Sequence, residues 1–305
     1  MSTMWFVFAV LTAFAWGAAN LYYKKGSDPG DPTSHLKIVV MIGFVMGIHA
    51  VLYMLIKGIT FDPWNMVVYF PVSFMYILSM TLGFIGLRYI ELSIAAPVQN
   101  SAGAITAILL MIFFPTSISA LEIFGVVIVT YGVIMLARYE QTHDHAIMLQ
   151  NGETFDPKYK LGFLAITFPI LYALIDGVGS FLDGVYLEKK QWLSEDNALL
   201  AYEFTFLICA LLVYFYLKVI KKEDFQIFKQ KDRGIAALLE TTGQFFYVFA
   251  MAGNAMIAAP LIASSGIFSV ILSRIFLKEV LSKKQYVLII LVMIGIIALG
   301  LAEEL

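Results

Sequence analysis

Four carboxylates lie inside runs of apolar residues: Asp176, Asp183, Glu203 and Glu240. An ionisable side chain at membrane depth costs about 2.5–3.5 kcal/mol even on the mildest insertion scale. Such a group holds a cation, carries a proton, or is tied into the bundle by hydrogen bonds. The one base placed deep in an apolar run is Arg274. Tyr172, Asp176, Gly179 and Asp183 follow at spacings of four, three and four, and so share one helix face. Gly177 and Gly179 thin that helix, to admit either a ligand or a neighbouring helix. Glu240, Gln244 and Tyr247 repeat the stripe at spacings of four and three. Glu240 reads either as the wall of a binding site or as the partner of Arg274. Asp183 suits a wet vestibule as well as a site, and Glu203, near the start of its run, suits an interfacial cap.

Neutral polar residues add a second set. Trp16 and Asn20 stand one turn apart, and Gln99 and Asn100 follow Pro97. They can contact a ligand or hydrogen-bond between helices. His49 is alone in its run and reads as a packed histidine. His143-Asp144-His145 reads as a solvated cluster rather than a metal site. No metal or cofactor is expected. Catalysis has no candidate: there is no His-rich or Cys motif, no glycine-rich phosphate loop and no Ser-His-Asp set. A channel would want polar residues along a continuous pore, and acids confined to one half of the chain fit that poorly.

The elements that must position these residues are long and apolar. Of 305 residues, 60% are hydrophobic and 14% charged, with a mean hydropathy of +0.84. Soluble domains are about 45–50% apolar and about 25% charged. A spanning helix needs about 20 apolar residues. Ten segments qualify: Trp5–Tyr23, Leu36–Ile56, Val67–Leu87, Ile94–Phe114, Ser119–Ala137, Leu161–Leu187, Ala198–Leu217, Gly234–Ala252, Ala258–Leu277 and Lys283–Ala302. The first lacks a basic start and is stopped by Lys24-Lys25, so it reads as a retained helix rather than a cleaved signal. A soluble enzyme and a folded extramembrane domain are excluded. So is a nucleic-acid binder, because the net charge is −2 without a basic patch. The single cysteine, Cys209, allows no intrachain disulfide.

The chain repeats itself. Ile94-Ala95-Ala96-Pro97 recurs as Ile257-Ala258-Ala259-Pro260, an offset of 163. At that offset Ser101 matches Ser264, Gly103 matches Gly266, Leu109 matches Leu272 and Gly132 matches Gly295. Ser119 with Glu122, and Ser282 with Gln285, both form capping boxes. Trp16-Gly17 aligns with Asp176-Gly177, an offset of 160. Residues 1–137 and 161–305 therefore read as two five-helix repeats joined by a polar loop, 138–160. Five is odd, so the second repeat enters the membrane from the opposite face, as in many secondary transporters. Pro97 and Pro260 are candidate hinges, or first-turn prolines that cost little.

The opening Ala15-Trp16-Gly17-Ala18-Ala19-Asn20 resembles that of an EamA-type repeat, and the close from Phe276-Leu277-Lys278-Glu279 through Gly295 resembles its end. EamA permeases belong to the drug/metabolite transporter superfamily. The resemblance implies an all-α polytopic fold of ten helices around a central cavity. It also implies alternating access, and cargo among amino acids, amines, sugars and nucleotide sugars. The first copy has Phe113-Phe114-Pro115-Thr116 where the second has the Leu-Lys-Glu turn, so no symmetric role is given to Glu279.

Sixteen of the 20 Lys and Arg fall in loops on one side; Lys57, Lys189 and Lys190 fall on the other. Positive charge marks the cytoplasm, which puts both termini outside it. The expectation is an integral protein of a bacterial cell membrane, a monomer or homodimer. Its partners are a small molecule, the bilayer and a coupling proton. Trp16, Asn20, Gln99, Asn100, Tyr172, Asp176, Asp183, Glu240, Gln244 and Tyr247 are the candidate substrate contacts. A low dielectric favours the neutral carboxyl, so Asp176, Glu240 and Glu203 are the candidate proton carriers. Acids and aromatic faces favour a cation, and the lack of bases in the spans disfavours phosphorylated cargo. The expected function is secondary transport of a small cationic or zwitterionic metabolite, proton-coupled or by exchange. The alternative is an exporter of neutral or aromatic amino acids in which the acids carry only protons.

Overall fold

The computed structural model describes residues 4–28, 30–86, 99–115, 118–132, 134–135, 163–276 and 283–304. Pro97, the loop 138–160 with His143, Asp144 and His145, and the Arg274 side chain lie outside the described residues.

All regular structure among these residues is helical. Helix α1 (Met4–Gly26) leads into a turn built by two aspartates. Asp28 Oδ1 accepts from Gly30 N–H at 2.8 Å, and Asp31 Oδ1 from Thr33 N–H at 3.0 Å. Helix α2 (Ser34–Lys57) stops at Gly58, whose φ of 66° is left-handed and suits a residue without Cβ. Pro63 then starts the short α3 (Trp64–Val68), followed by α4 (Phe70–Gly86). Helix α5 (Ala102–Phe113) follows a turn at Ser101. Helix α6 (Ala120–Gly132) opens on the expected capping box: Ser119 N–H donates to Glu122 Oε2 at 2.7 Å, and Glu122 N–H to Ser119 Oγ at 3.2 Å.

The second half holds α7 (Phe163–Gly184), α8 (Glu195–Phe215), α9 (Lys231–Ile262), α10 (Ser265–Phe276) and α11 (Lys283–Glu304). Five helices among the described residues are long and apolar enough to cross a bilayer, and four shorter ones are apolar.

The eighth and ninth expected spans depart from simple helices. Helix α9 runs through the eighth span and then leaves helical geometry at Asn254 (φ −159°, ψ 81°). It restarts at Ala255, whose N–H donates to Glu188 Oε2 at 2.8 Å, an acidic cap on the new helix start. The restarted segment ends in a turn at Ala263 and Ser264 before α10 begins. Pro260 sits inside this eight-residue segment without breaking it. Proline deletes one helical bond there, so the chain bends on either side of Pro260 rather than at it. The same interruption occurs in the first half, where Gln99 and Asn100 are helical and Ser101 turns before α5.

Helix α1 packs chiefly on α9, and α4 on α7; α1 also meets α10 as α5 meets α7. The sequence correspondence exchanges these pairs, so each wall of the bundle takes helices from both halves. Between the walls, α2 lies on α8, where a Cβ at Gly43 would collide with Phe206 backbone. Gly103 likewise lets α5 cross the restarted segment, because its missing Cβ would stand 2.6 Å from the Ala259 carbonyl oxygen. Gly177 and Gly179 serve the same end. A Cβ there would meet Ile105 on α5 and Met75 on α4, so these glycines admit helices.

Candidate functional site

A cavity of about 150 Å³ opens between the two walls. Trp16, Asn20 and Tyr23 reach it from α1, at spacings of four and three, and Tyr172, Asp176 and Ser180 from α7 at spacings of four. Glu240, Gln244 and Tyr247 come from α9. The interrupted helices supply Gln99 and Asn100 from one half and Ala263 and Ser265 from the other. Thus nine of the ten expected contacts surround one space.

The chemistry of the lining is acidic, amidic and aromatic. Ser79 Oγ donates to Asp176 Oδ1 at 2.9 Å, and Tyr23 OH to Glu240 Oε2 at 2.9 Å. Trp16 stacks on Tyr247 with centroids 5.1 Å apart, and its indole N–H donates to the Glu240 carbonyl at 3.4 Å. Gln99, Asn100 and Gln244 have no hydrogen-bond partner among the described residues, although Gln244 is only 3% exposed. No Lys or Arg lines the cavity among those residues.

The tenth expected contact, Asp183, lies outside the lining and is fully buried. Tyr69 donates to its Oδ1, and Tyr76 OH stands 3.5 Å from its Oδ2. Tyr76 also hydrogen-bonds Tyr247, and both hydroxyls lie 3.1 Å from Ser180 Oγ. A plug of hydroxyls and one acid therefore borders the cavity at Tyr76, Ser180 and Tyr247 with Asp183 buried behind it, so the vestibule reading of Asp183 is corrected. Position 183 corresponds to Tyr23 at the offset of 160. Tyr23 on α1 donates to an acid on α9, while Asp183 on α7 accepts from Tyr69 in the turn between α3 and α4.

Glu203 is not an interfacial cap. It is fully buried, and His49, expected to be alone, lies against it with Nδ1 2.8 Å from Oε1. One turn outward Tyr53 OH donates to Asp196 Oδ1 at 2.6 Å. Both contacts join α2 to α8. The described partner of Glu240 is Tyr23.

Toward the other end an ion lattice ties the α1–α2 loop to the α8–α9 loop. Lys37 Nζ is 2.7 Å from both Asp31 Oδ2 and Glu223 Oε2. Thr33 Oγ1 donates to Glu223 Oε1 at 2.7 Å, and Arg233 Nε to the Gly26 carbonyl at 2.9 Å. Burial alone would push the Asp31 and Glu223 carboxyls up; the Lys37 ammonium and Thr33 outweigh it and hold both below the usual carboxylate range.

Tyr23, Tyr76, Ser79, Ser180 and Tyr202 also line or support the site and were not among the expected residues. Their signal is helical spacing: Tyr23 continues Trp16 and Asn20, and Ser180 lies four residues after Asp176.

Sequence comparison agrees with this architecture. The matching family is the EamA-like transporter family, over residues 3–138 and again over 163–301. The chain belongs to the EamA-like transporter family. Like other members of that family it is a membrane protein of transporter type. A solved crystal structure matches this EamA chain with a TM-score of 0.70 at 15% identity, covering 99% of each chain. That likeness shows the shared fold. No curated protein matches this EamA chain.

Proposed function

We propose that this chain is a secondary active transporter working by alternating access. Its ten spans form two inverted five-helix repeats, and its cargo is a small cationic or zwitterionic metabolite. The observation that carries the reading is the pairing of Asp176 and Glu240 around a cavity that no basic residue lines among the described residues. Asp176 is the central cation site and Glu240 the second. Either acid can exchange its proton for cargo, which makes transport proton-coupled or an exchange. By the Lys and Arg distribution the lattice around Lys37 is cytoplasmic and both termini are not. The hydroxyl plug then closes the outer side, and the cavity belongs to an inward-facing state. Bonds between the walls cluster on that outer side: Tyr76 with Tyr247, Tyr247 with Ser180, and Glu188 with Ala255. Opening outward requires these to break.

The experiment is thermal stabilisation of the purified protein by quaternary amines, guanidinium compounds, amino acids, nucleosides and sugars, for wild type and Asp176→Asn. A ligand at 100 times its Kd stabilises by about 2.7 kcal/mol. Cations are expected to stabilise the wild type and not the variant. Equal stabilisation of both by neutral compounds would remove the cation site. One observation favours a second reading: the amides of Gln99, Asn100 and Gln244 suit the polar groups of a neutral amino acid, with the acids carrying only protons.

A further inference from the structure

We infer that the cargo of this cavity carries two positive charges, as two ammonium groups joined by a short alkyl chain. The inference rests on the cation-transport reading above and narrows it. Asp176 stands on α7 and Glu240 on α9, in opposite walls, and both line the one cavity. Each is anchored through one oxygen only, Asp176 by Ser79 and Glu240 by Tyr23. The second oxygen of each has no partner among the described residues.

Two anions facing one another across a low-dielectric space repel. A single cation neutralises one and leaves the other uncompensated, which is the costly arrangement for a buried charge. A molecule with a cation at each end neutralises both. The surface between the acids suits its middle. Tyr172, Tyr202, Met80 and Phe84 line the same space as the two acids. Aromatic faces attract ammonium groups and their adjoining methylenes. Gln244 lies one turn from Glu240, 97% buried and unpartnered among the described residues. Its amide oxygen is a ready acceptor for an ammonium N–H that the Glu240 oxygen leaves over.

The test is a titration of the full-length protein in lipid nanodiscs, read as its unfolding temperature. Straight-chain α,ω-diamines of increasing length are compared with n-alkylamines of matched length and with neutral amino acids. A diamine of one preferred length should reach half-maximal stabilisation at about tenfold lower concentration than the matched monoamine, or less. Asp176→Asn and Glu240→Gln should each bring the diamine to the monoamine level. Diamine and monoamine acting at the same concentration would overturn the dication while leaving a single-cation site intact. Neutral amino acids stabilising where neither amine does would overturn the cation reading itself. The wild-type series decides between these outcomes even if a variant fails to fold.

Discussion

Two pairs of membrane acids share their chemistry and differ in their surroundings. Asp183 and Glu203 are fully buried and held by the protein, one by Tyr69 and Tyr76, the other by His49. Asp176 and Glu240 each have one side-chain partner among the described residues, and both line the cavity. What separates a fixed acid from a working one here is whether it borders the cavity, not its depth in the membrane. An ionised carboxylate accepts about four hydrogen bonds. An acid enclosed among helices holds them together; one with unused lone pairs at a cavity holds something else.

The largest expected effect is on ligand binding by the cavity pair. Removing one member of a desolvated charge pair costs about 2–5 kcal/mol. Asp176→Asn should therefore weaken cation binding by roughly 30-fold or more, while unliganded stability changes little because the amide keeps a group for Ser79. Isothermal titration and melting curves read the two effects separately. A large loss of unliganded stability would put Asp176 with the packed acids and break the comparison. Next in size is His49→Leu. It leaves Glu203 buried without its partner, and orphaning a buried charge costs about 3–5 kcal/mol. The double variant His49→Leu/Glu203→Leu should recover most of that loss, since a buried pair is often replaceable by apolar residues. Reversible unfolding in detergent measures the cycle; additivity of the two changes would show that the pair is not coupled.

Much of the architecture was legible because helical spacing and repetition are properties of sequence. The stripes on α7 and α9, the offset of 163 and the capping box at Ser119 needed no coordinates. The sorting of the acids did need them. Asp183 shares a stripe with Asp176, yet its environment is set by Tyr69, just before α4, and Tyr76 on α4, more than 100 residues away in the chain. The same holds for Glu203, whose partner is 154 residues distant. Helical periodicity tells which residues share a face and is silent on what that face meets. The break at Asn254 escaped for a related reason: Pro260 carries the familiar signal, but the chain bends where Glu188 of another helix can cap the restart.

A smaller effect sharpens the contrast within one type of bond. Tyr69→Phe removes a donor from a fully buried acid, where a hydrogen bond to a charged group is worth about 1.5–3 kcal/mol. Tyr23→Phe removes the matching donor from Glu240, whose carboxylate can turn to the cavity instead. The first should destabilise the unliganded protein more than the second, and the second should change cation affinity more than the first. Parallel melts and titrations of both variants test this, and an inverted order would undo the assignment of the two tyrosines.

The smallest effect concerns acids outside the spans. Lys37 and Thr33 hold the Asp31 and Glu223 carboxyls below their ordinary range. A carboxyl lowered on folding contributes stability that is fully present above its unfolded value, about 3.9 for Asp and 4.3 for Glu. That contribution is lost as pH falls through the lower folded value. The lattice is partly wet and open to screening, so its worth is at most about 1 kcal/mol at low salt. Lys37→Met should remove it above about pH 5 and make little difference near pH 2. Added salt should shrink the gap between wild type and variant, whereas the His49–Glu203 cycle, buried on the Glu203 side, should respond much less. Melting curves at two pH values and two salt concentrations separate the cases. Equal salt sensitivity at both sites would mean that water reaches Glu203 as freely as it reaches Asp31, and the division between packed and solvated acids would fall.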